Sequence, residues 1–177
     1  GCAVGQRIAE MYGTDEEVQA ATLNYDLMES VIARKEGIME GVQEYAPNVK
    51  FVADATAADQ EEGMSNTENF LQANPDLKVV CGVSDGAALG AYQAFKAAGM
   101  TDPDKYLIAG IDATDEALKL IDEGSIYQVS VSQNPAATGK SLVDTAIAVV
   151  NKASYPKDSL FDLQAVTAEN VKDYIAE

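Results

Sequence analysis

The sequence predicts an α/β protein with a doubly wound parallel sheet and helices on both faces, which makes three layers. Apolar residues at helical spacing alternate with short apolar or β-branched runs, an alternation typical of βαβ units. One run, residues 106–111, is apolar at almost every position, as expected for a strand that helices cover on both faces. With 177 residues, of which 47% are apolar, the chain is long enough to bury a substantial core.

The first half of the chain contains three predicted helices and two predicted strands. Val4, Ile8 and Met11 have helical spacing, and Gly13 is a residue type that commonly ends a helix. Pro47 closes the helix that follows the first strand, because proline does not continue a helix. In chain order, the predicted elements are helix 2–12, strand 18–25, helix 30–45, strand 49–53 and helix 57–72.

The second half continues the alternation and ends with two successive helices. Thr114 is placed to cap one helix at its amino end, and Gly124 to end that helix. Pro135 begins a long helix, and Thr167 caps the last one. In chain order, the predicted elements are strand 77–83, helix 86–98, strand 106–111, helix 114–122, strand 126–131, helix 135–152 and helix 167–175.

The composition excludes several classes of function. Lys and Arg number 12 and Asp and Glu number 29, so the formal net charge is −17, and we expect no nucleic-acid partner. The chain has no histidine, which removes Ser-His-Asp and Cys-His catalysis and every histidine-dependent metal site. No histidine is present to activate Ser84 as a nucleophile, and no glycine-rich phosphate loop is present. We therefore predict no enzymatic activity, no cofactor and no metal.

Polar side chains follow several predicted strands, where parallel α/β sheets bind ligands. Ser84 and Asp85 follow strand 77–83, Asp112 follows strand 106–111, Gln133 follows strand 126–131, and Arg34 lies in the helix after the first strand. Carboxylate, amide and guanidinium groups together suit the hydroxyls of a neutral polyol. Each residue alone could be a helix cap or turn former, but groups at successive strand ends favour a binding site.

Four segments carry a family resemblance, in order along the chain. The sequence resembles the type I periplasmic sugar-binding proteins, the ribose- and galactose-type substrate-binding components of ABC importers. LacI-type transcription regulators share this fold, so the effector-binding domain of such a regulator is the alternative. The segments are 34–42, 84–91, 110–114 and 132–135.

The resemblance implies that this chain corresponds to the C-terminal lobe of a type I periplasmic binding protein fold, with the main body of the N-terminal lobe missing. Residues 1–134 would form the C-terminal α/β lobe. Residues 135–153 would be a helix that packs in the missing lobe, and residues 154–177 would return to the C-terminal lobe.

The resemblance also implies roles for single residues. Arg34, Asp112 and Gln133 match sugar contacts of the family. Ser84 stands where the family usually has asparagine, and Asp85 matches the aspartate that follows it.

One departure from the family concerns an aromatic residue that often stacks on the sugar. Ala58 stands at that position and has no ring; Tyr25 after the first strand could substitute for it, although a tyrosine there is more commonly a core or rim residue.

The implied function is sugar binding between two closing lobes, with presentation of the closed form to an ABC permease in the membrane. The acidic composition favours this extracytoplasmic role, periplasmic or lipid-anchored at the cell surface, over a regulator that must approach DNA. Without the missing lobe, helix 135–152 would expose a large apolar patch, so we expect self-association or repacking there. Its apolar residues are Leu142, Val143, Ala146, Ile147, Val149 and Val150.

Overall fold

A computed structural model describes residues 1–159 and 161–175. Helices and strands alternate over most of these residues, as the hydrophobic periodicity predicts. The strands are β1 (Val18–Asn24), β2 (Val49–Thr56), β3 (Leu77–Gly82), β4 (Leu107–Ile111), β5 (Tyr127–Ser132) and β6 (Gln164–Val166). The helices are α1 (Cys2–Tyr12), α2 (Glu29–Tyr45), α3 (Gln60–Ala73), α4 (Asp85–Ala97), α5 (Asp115–Asp122) and α6 (Pro135–Val150).

The strands form one sheet in the order β2-β1-β3-β4-β5-β6. Strands β1 to β5 are parallel, and β6 pairs antiparallel with β5. From β1 the chain runs first to β2 on one side and then to β3 on the other. The strand order therefore reverses between β1 and β3, where the following loops diverge and open a crevice. This arrangement confirms the doubly wound α/β fold.

Helices cover both faces of the sheet, and a hydrophobic core lies on each side. In β3 and β4, neighbouring residues alternate between the two cores, as side chains of a strand must. Val80 and Ile108 contribute to the core that includes Phe95 of α4. Val79 and Leu107 contribute to the core beneath α1 and α2. Because both faces are buried, β4 is apolar throughout and β3 is apolar except at Lys78.

Two helix pairs approach so closely that their backbones touch, and this fixes the helices that carry site residues. A Cβ atom on Gly5 of α1 would lie 2.2 Å from the carbonyl oxygen of Gly41 in α2. A Cβ atom on Gly63 of α3 would lie 2.3 Å from the carbonyl oxygen of Ala87 in α4. A larger residue at Gly5 would push α1 and α2 apart, and a larger residue at Gly63 would do the same to α3 and α4.

The carboxyl-terminal part differs from the sequence prediction in two ways. Strand β6 was not predicted, because its three residues are too few to show a periodicity. The predicted helix 167–175 is wrong: only a 3₁₀ helix, Val171–Asp173, forms there. The Asn170 side chain accepts a hydrogen bond from the Thr167 amide and donates one to the Ala165 carbonyl, which favours a turn. Residues 160, 176 and 177 of the predicted return segment lie outside the described residues.

Helix α6 differs from the other helices because it contributes nothing to the core. None of its 16 described residues is buried. Its apolar side chains face solvent, including Leu142 at 67% and Val150 at 80% exposure. The exposed apolar surface is the one expected from the sequence. Among the described residues, no helix has both the length and the apolar character needed to cross a membrane.

Candidate functional site

Three of the predicted site residues meet above the carboxyl ends of β4 and β5. Arg34 Nη2 donates a hydrogen bond to Gln133 Oε1 at 3.0 Å. Arg34 Nη1 lies 3.6 Å from Asp112 Oδ1. The Gln133 amide donates a hydrogen bond to the same carboxylate oxygen. We call Arg34, Asp112 and Gln133 the polar triad; the structure brings them to one side of the sheet, where they remain partly open to solvent.

Backbone features hold two members of the triad, Arg34 and Asp112, in place. Arg34 Nη1 donates a hydrogen bond to the Val83 carbonyl at 3.0 Å, which ties α2 to the segment that follows β3. Asp112 has a φ of 123° and Ala113 has a φ of 53°, values that non-glycine residues rarely adopt. Such strain persists only where surrounding contacts enforce it, and it is concentrated at functional sites.

The pKa of Asp112 is set by influences that oppose each other. Partial burial raises the pKa of the Asp112 carboxyl, whereas the Arg34 guanidinium opposes that rise. The nearby Asp85 carboxylate raises the pKa of Asp112 further, and the Gln133 hydrogen bond lowers it. Arg34 is thus the positive group that compensates Asp112, and the pair carries no net charge when both are ionised.

Ser84 and Asp85 have different surroundings from those the sequence suggested. Ser84 is the N-cap of α4, where its Oγ accepts a hydrogen bond from the Ala87 amide at 3.3 Å. Its hydroxyl is partly exposed and lines a cavity, so it can still donate to a ligand. Asp85, predicted as a ligand contact, is completely buried. The reason is that its carboxylate accepts hydrogen bonds from Thr114, Tyr127 and Ser130 beneath the site surface.

The hydroxyl of Thr114 does not cap α5, although the residue occupies the N-cap position. It donates instead to Asp85 Oδ2 at 3.0 Å. The Thr114 side chain therefore ties the start of α5 to the start of α4.

Two cavities flank Arg34. The first, which we call the Tyr25 cavity, has a volume of about 230 Å³ and lies where the strand order reverses between β1 and β3. Its walls include Arg34, Ser84, Tyr25 and Ala58. The second, about 250 Å³, lies between α2 and the ends of β4 and β5, and Leu163 of the return segment lines it. Sequence reasoning missed Leu163, because nothing local links that residue to the strand ends.

A further polar cluster next to the triad was also missed. The Asn24 amide, at the end of β1, donates a hydrogen bond to Asp54 Oδ2 at 3.0 Å. Lys35 Nζ lies 3.2 Å from that oxygen and 3.6 Å from Asp26 Oδ2. Lys35 follows Arg34 in α2, so the cluster helps to fix the position of Arg34. The signal in the sequence was an asparagine at the carboxyl end of β1.

The chemistry of the site is that of hydrogen bonding. Within residues 1–159 and 161–175, His, Cys, Asp and Glu form no group of three that could hold a metal ion. The triad offers guanidinium and amide donors together with carboxylate and amide acceptors.

Comparison with known proteins links this fold to one family of domains. The model of the family described as "Periplasmic binding protein domain" matches residues 1–154. The D-apiose import binding protein of Actinobacillus succinogenes is 34% identical over 142 residues, which cover 78% of this chain and 44% of that protein. The ribose import binding protein of Escherichia coli is 30% identical over 129 residues, 71% of this chain and 42% of that protein. The chain thus matches less than half the length of these relatives.

Solved structures show the same fold. A periplasmic solute binding protein of an ABC transporter from Actinobacillus succinogenes, with bound D-allose, superimposes with a TM-score of 0.88 at 27% identity. The match covers 98% of this chain and 60% of that one. A solute binding protein from Bacillus halodurans, with bound myo-inositol, gives a TM-score of 0.83 at 31% identity and covers 96% of this chain and 57% of that one.

Proposed function

Because this chain belongs to the periplasmic binding protein family, we propose that it is one lobe of the substrate-binding component of an ABC importer. Its ligand is a neutral sugar or cyclic polyol, bound against the strand ends by the polar triad. Related proteins with named ligands support this class, since those ligands include D-allose and myo-inositol. The relatives named as import binding proteins also favour the importer over a LacI-type regulator.

The observation that carries the proposal is the convergence of the triad. The Arg34 guanidinium and the Gln133 amide donate, whereas the Asp112 carboxylate accepts. A sugar hydroxyl both donates and accepts, so each of these groups can exchange its present partner for a hydroxyl. Because the charges of Arg34 and Asp112 compensate each other, the site favours a neutral ligand over an ion.

The Tyr25 cavity supplies the apolar side of the site. A sugar ring has C–H groups that pack on aromatic faces, and Ala58 provides no ring. Tyr25 lines the same cavity as Arg34 and Ser84, so we assign the packing role to Tyr25. The Ser84 hydroxyl adds one polar contact at the cavity wall. The ligand thus lies between Tyr25 and the triad, above the point where the strand order reverses.

The transport role requires a second wall. Closure of another lobe over the ligand would exclude water and form the surface that the membrane permease recognises, in an extracytoplasmic location. With one wall only, we expect this chain to bind its ligand weakly, with a dissociation constant on the order of millimolar. The net charge of −17 opposes nucleic-acid binding and agrees with this role.

We further propose that the exposed apolar face of α6 pairs with a second copy when this chain is alone in solution. Leu142, Val143 and Ile147 are each more than half exposed, and burying them would remove apolar surface from water. Light scattering at increasing concentration should show dimers, and Leu142→Asp with Ile147→Asp should restore the monomer. A monomer at all concentrations contradicts this part of the proposal.

A nuclear magnetic resonance titration of the 177-residue chain tests the binding proposal. D-allose, D-ribose, D-apiose and myo-inositol are added separately to millimolar concentration, and backbone amide shifts are followed. We expect at least one ligand to cause saturable shifts at Asp112 and Gln133. Gln133→Ala should abolish these shifts, whereas Asp76→Asn, an exposed carboxylate in a distant turn, should preserve them. Absence of saturable shifts with all four ligands, or shifts unchanged in Gln133→Ala, contradicts the proposal.

A further inference from the structure

The carboxylate of Asp85 lies beneath the loop that carries Asp112, and its two oxygens accept four hydrogen bonds. Oδ2 accepts from the Thr114 amide at 2.8 Å and from Thr114 Oγ1 at 3.0 Å. Oδ1 accepts from Tyr127 Oη at 2.8 Å and from Ser130 Oγ at 2.7 Å. Hydrogen bonds to an ionised acceptor are stronger than those between neutral groups. The Asp85 carboxylate therefore joins α4, β5 and the start of α5 at one point.

The loop that Asp85 holds is also the loop with the strained backbone. Asp112 and Ala113 both have positive φ, and each of their amides is bonded to β5. The Asp112 amide donates to the Val131 carbonyl at 2.9 Å. The Ala113 amide donates to Ser130 Oγ at 2.9 Å, and that same hydroxyl donates to Asp85. With the amide of the next residue bonded directly to Asp85, two of three successive loop amides depend on this carboxylate.

The sheet is built to leave room for the network. A Cβ atom on Gly110 of β4 would lie 2.4 Å from Asp85 Oδ1 and 2.1 Å from Tyr127 Oη. Both distances are shorter than any ordinary contact of a carbon atom. The missing side chain at Gly110 is therefore a second, independent feature that accommodates the buried carboxylate.

On the premise of the proposed function, we infer that Asp85 is a positioning residue for ligand binding and not a ligand contact. It holds the Asp112–Thr114 turn in its unfavourable backbone conformation, so that the Asp112 carboxylate faces Arg34 and Gln133. Without the Asp85 carboxylate, the turn relaxes toward ordinary φ values and Asp112 leaves the triad. The buried carboxylate thus acts on the ligand through the backbone of its neighbour.

Amide hydrogen exchange in the ligand-free full chain tests the positioning role. The variants are Asp85→Ala and Asp85→Asn, with Val18→Ala as a control in the core on the opposite face of the sheet. Denaturant or temperature is adjusted so that all variants have the same unfolding stability. We expect the Ala113 and Thr114 amides to exchange at least tenfold faster in Asp85→Ala than in Val18→Ala. Equal rates in the two variants would overturn the inference, because a purely structural role predicts them.

If Asp85→Ala does not fold, the conservative variant Asp85→Asn tests the inference instead. Asparagine has the same shape but only one acceptor oxygen and no charge. We expect Asp85→Asn to accelerate exchange of the Ala113 or Thr114 amide about threefold and to leave the Ile108 amide of β4 unchanged. Exchange at Ala113 and Thr114 equal to that of the parent chain would contradict the inference.

A second readout connects the loop to the ligand. The probe is D-allose or, if D-allose causes no saturable shift in the parent chain, whichever of the other three ligands does; it is added to the parent chain and to the same variants. We expect the saturable shift at Asp112 to be lost in Asp85→Ala and retained in Val18→Ala; retention in both contradicts the inference. If D-allose and the other three ligands produce no shift in the parent chain, the proposed function fails, while the exchange rates still decide whether Asp85 holds the loop.

Discussion

The chain contains two pairs of arginine with glutamine, at opposite ends of β5, and they serve different purposes. At the amino end, Arg7 Nε donates to Gln128 Oε1 at 2.9 Å. At the carboxyl end, Arg34 Nη2 donates to Gln133 Oε1 at 3.0 Å. The two contacts are nearly identical in chemistry and distance. Their surroundings decide which pair is structural and which can bind a ligand.

The amino-end pair is committed to the fold. Gln128 is buried, and its amide donates to the Pro103 carbonyl at 2.7 Å and to the Tyr106 carbonyl at 3.1 Å. Arg7 also forms an ion pair with Glu10. A cavity of about 410 Å³, larger than either cavity beside Arg34, lies at this end of the sheet. Its size does not make it the site, since the glutamine amide on its wall already donates to two backbone carbonyls.

The carboxyl-end pair keeps capacity for other partners. Gln133 is exposed and sits directly after β5, beside the strained Asp112 turn. Among the described residues the Gln133 amide donates to one protein acceptor, Asp112, whereas the Gln128 amide donates to two. The comparison teaches that residue types and contacts alone do not identify a binding site. Here the binding site is identified by unused hydrogen-bonding capacity next to a strained backbone.

The largest expected difference between the two pairs is in stability. Gln128→Ala removes a buried side chain that bonds the Pro103 and Tyr106 carbonyls and Arg7 Nε, so the free energy of unfolding should fall by about 2 kcal/mol. Gln133→Ala removes an exposed side chain, so it should change the free energy of unfolding by less than about 0.5 kcal/mol. Urea denaturation measures both values. Equal losses would show that both glutamines are structural.

A smaller effect concerns the aromatic wall of the Tyr25 cavity. Tyr25→Ala should weaken D-allose binding about fivefold, near 1 kcal/mol, because the ring face is lost. Tyr25→Phe keeps the face and should retain binding within about twofold. The amide-shift titration compares the two variants, with Tyr155→Ala as an exposed control. Weakening by Tyr25→Phe equal to that by Tyr25→Ala would assign the effect to the hydroxyl instead.

The smallest effect is a pH dependence of stability at Asp112. Because its pKa is raised in the folded state, the folded chain holds this proton to higher pH than the unfolded chain does. Asp112 therefore contributes a loss of stability as pH rises above the ordinary aspartate range. Asp112→Asn removes that loss, so the unfolding free energy of the variant minus that of the parent should become more positive between pH 3.5 and pH 7. A difference that becomes more negative contradicts this assignment.

The fold and the triad could be predicted from the sequence because both depend on local patterns. Apolar spacing identifies α1 and β4, and parallel strands bring their carboxyl ends to one edge of the sheet. Residues that follow those strands, such as Asp112 and Gln133, must then lie close together. The last segment could not be predicted, since Gln164–Val166 forms a strand only through its pairing with β5.

The sequence also could not predict which of two neighbouring side chains would be buried beneath the site surface. Ser84 and Asp85 are adjacent after β3, and the sequence assigned both to the ligand. Ser84 lies at the surface, whereas Asp85 points beneath it, because Tyr127 and Ser130 supply donors and Gly110 leaves space. These residues belong to β4 and β5, whereas Asp85 begins α4. No local sequence pattern predicts that the three elements meet there.

The most direct test observes both arginines in one sample. The Nε–H signals of Arg7 and Arg34 are followed in the ¹H–¹⁵N spectrum of the full chain while D-allose, D-ribose, D-apiose and myo-inositol are added separately. The proposed site predicts that at least one ligand shifts the Arg34 signal saturably, while the Arg7 signal stays in place. A saturable shift of Arg7 without Arg34, or no shift of Arg34 with any ligand, would contradict the proposed binding site.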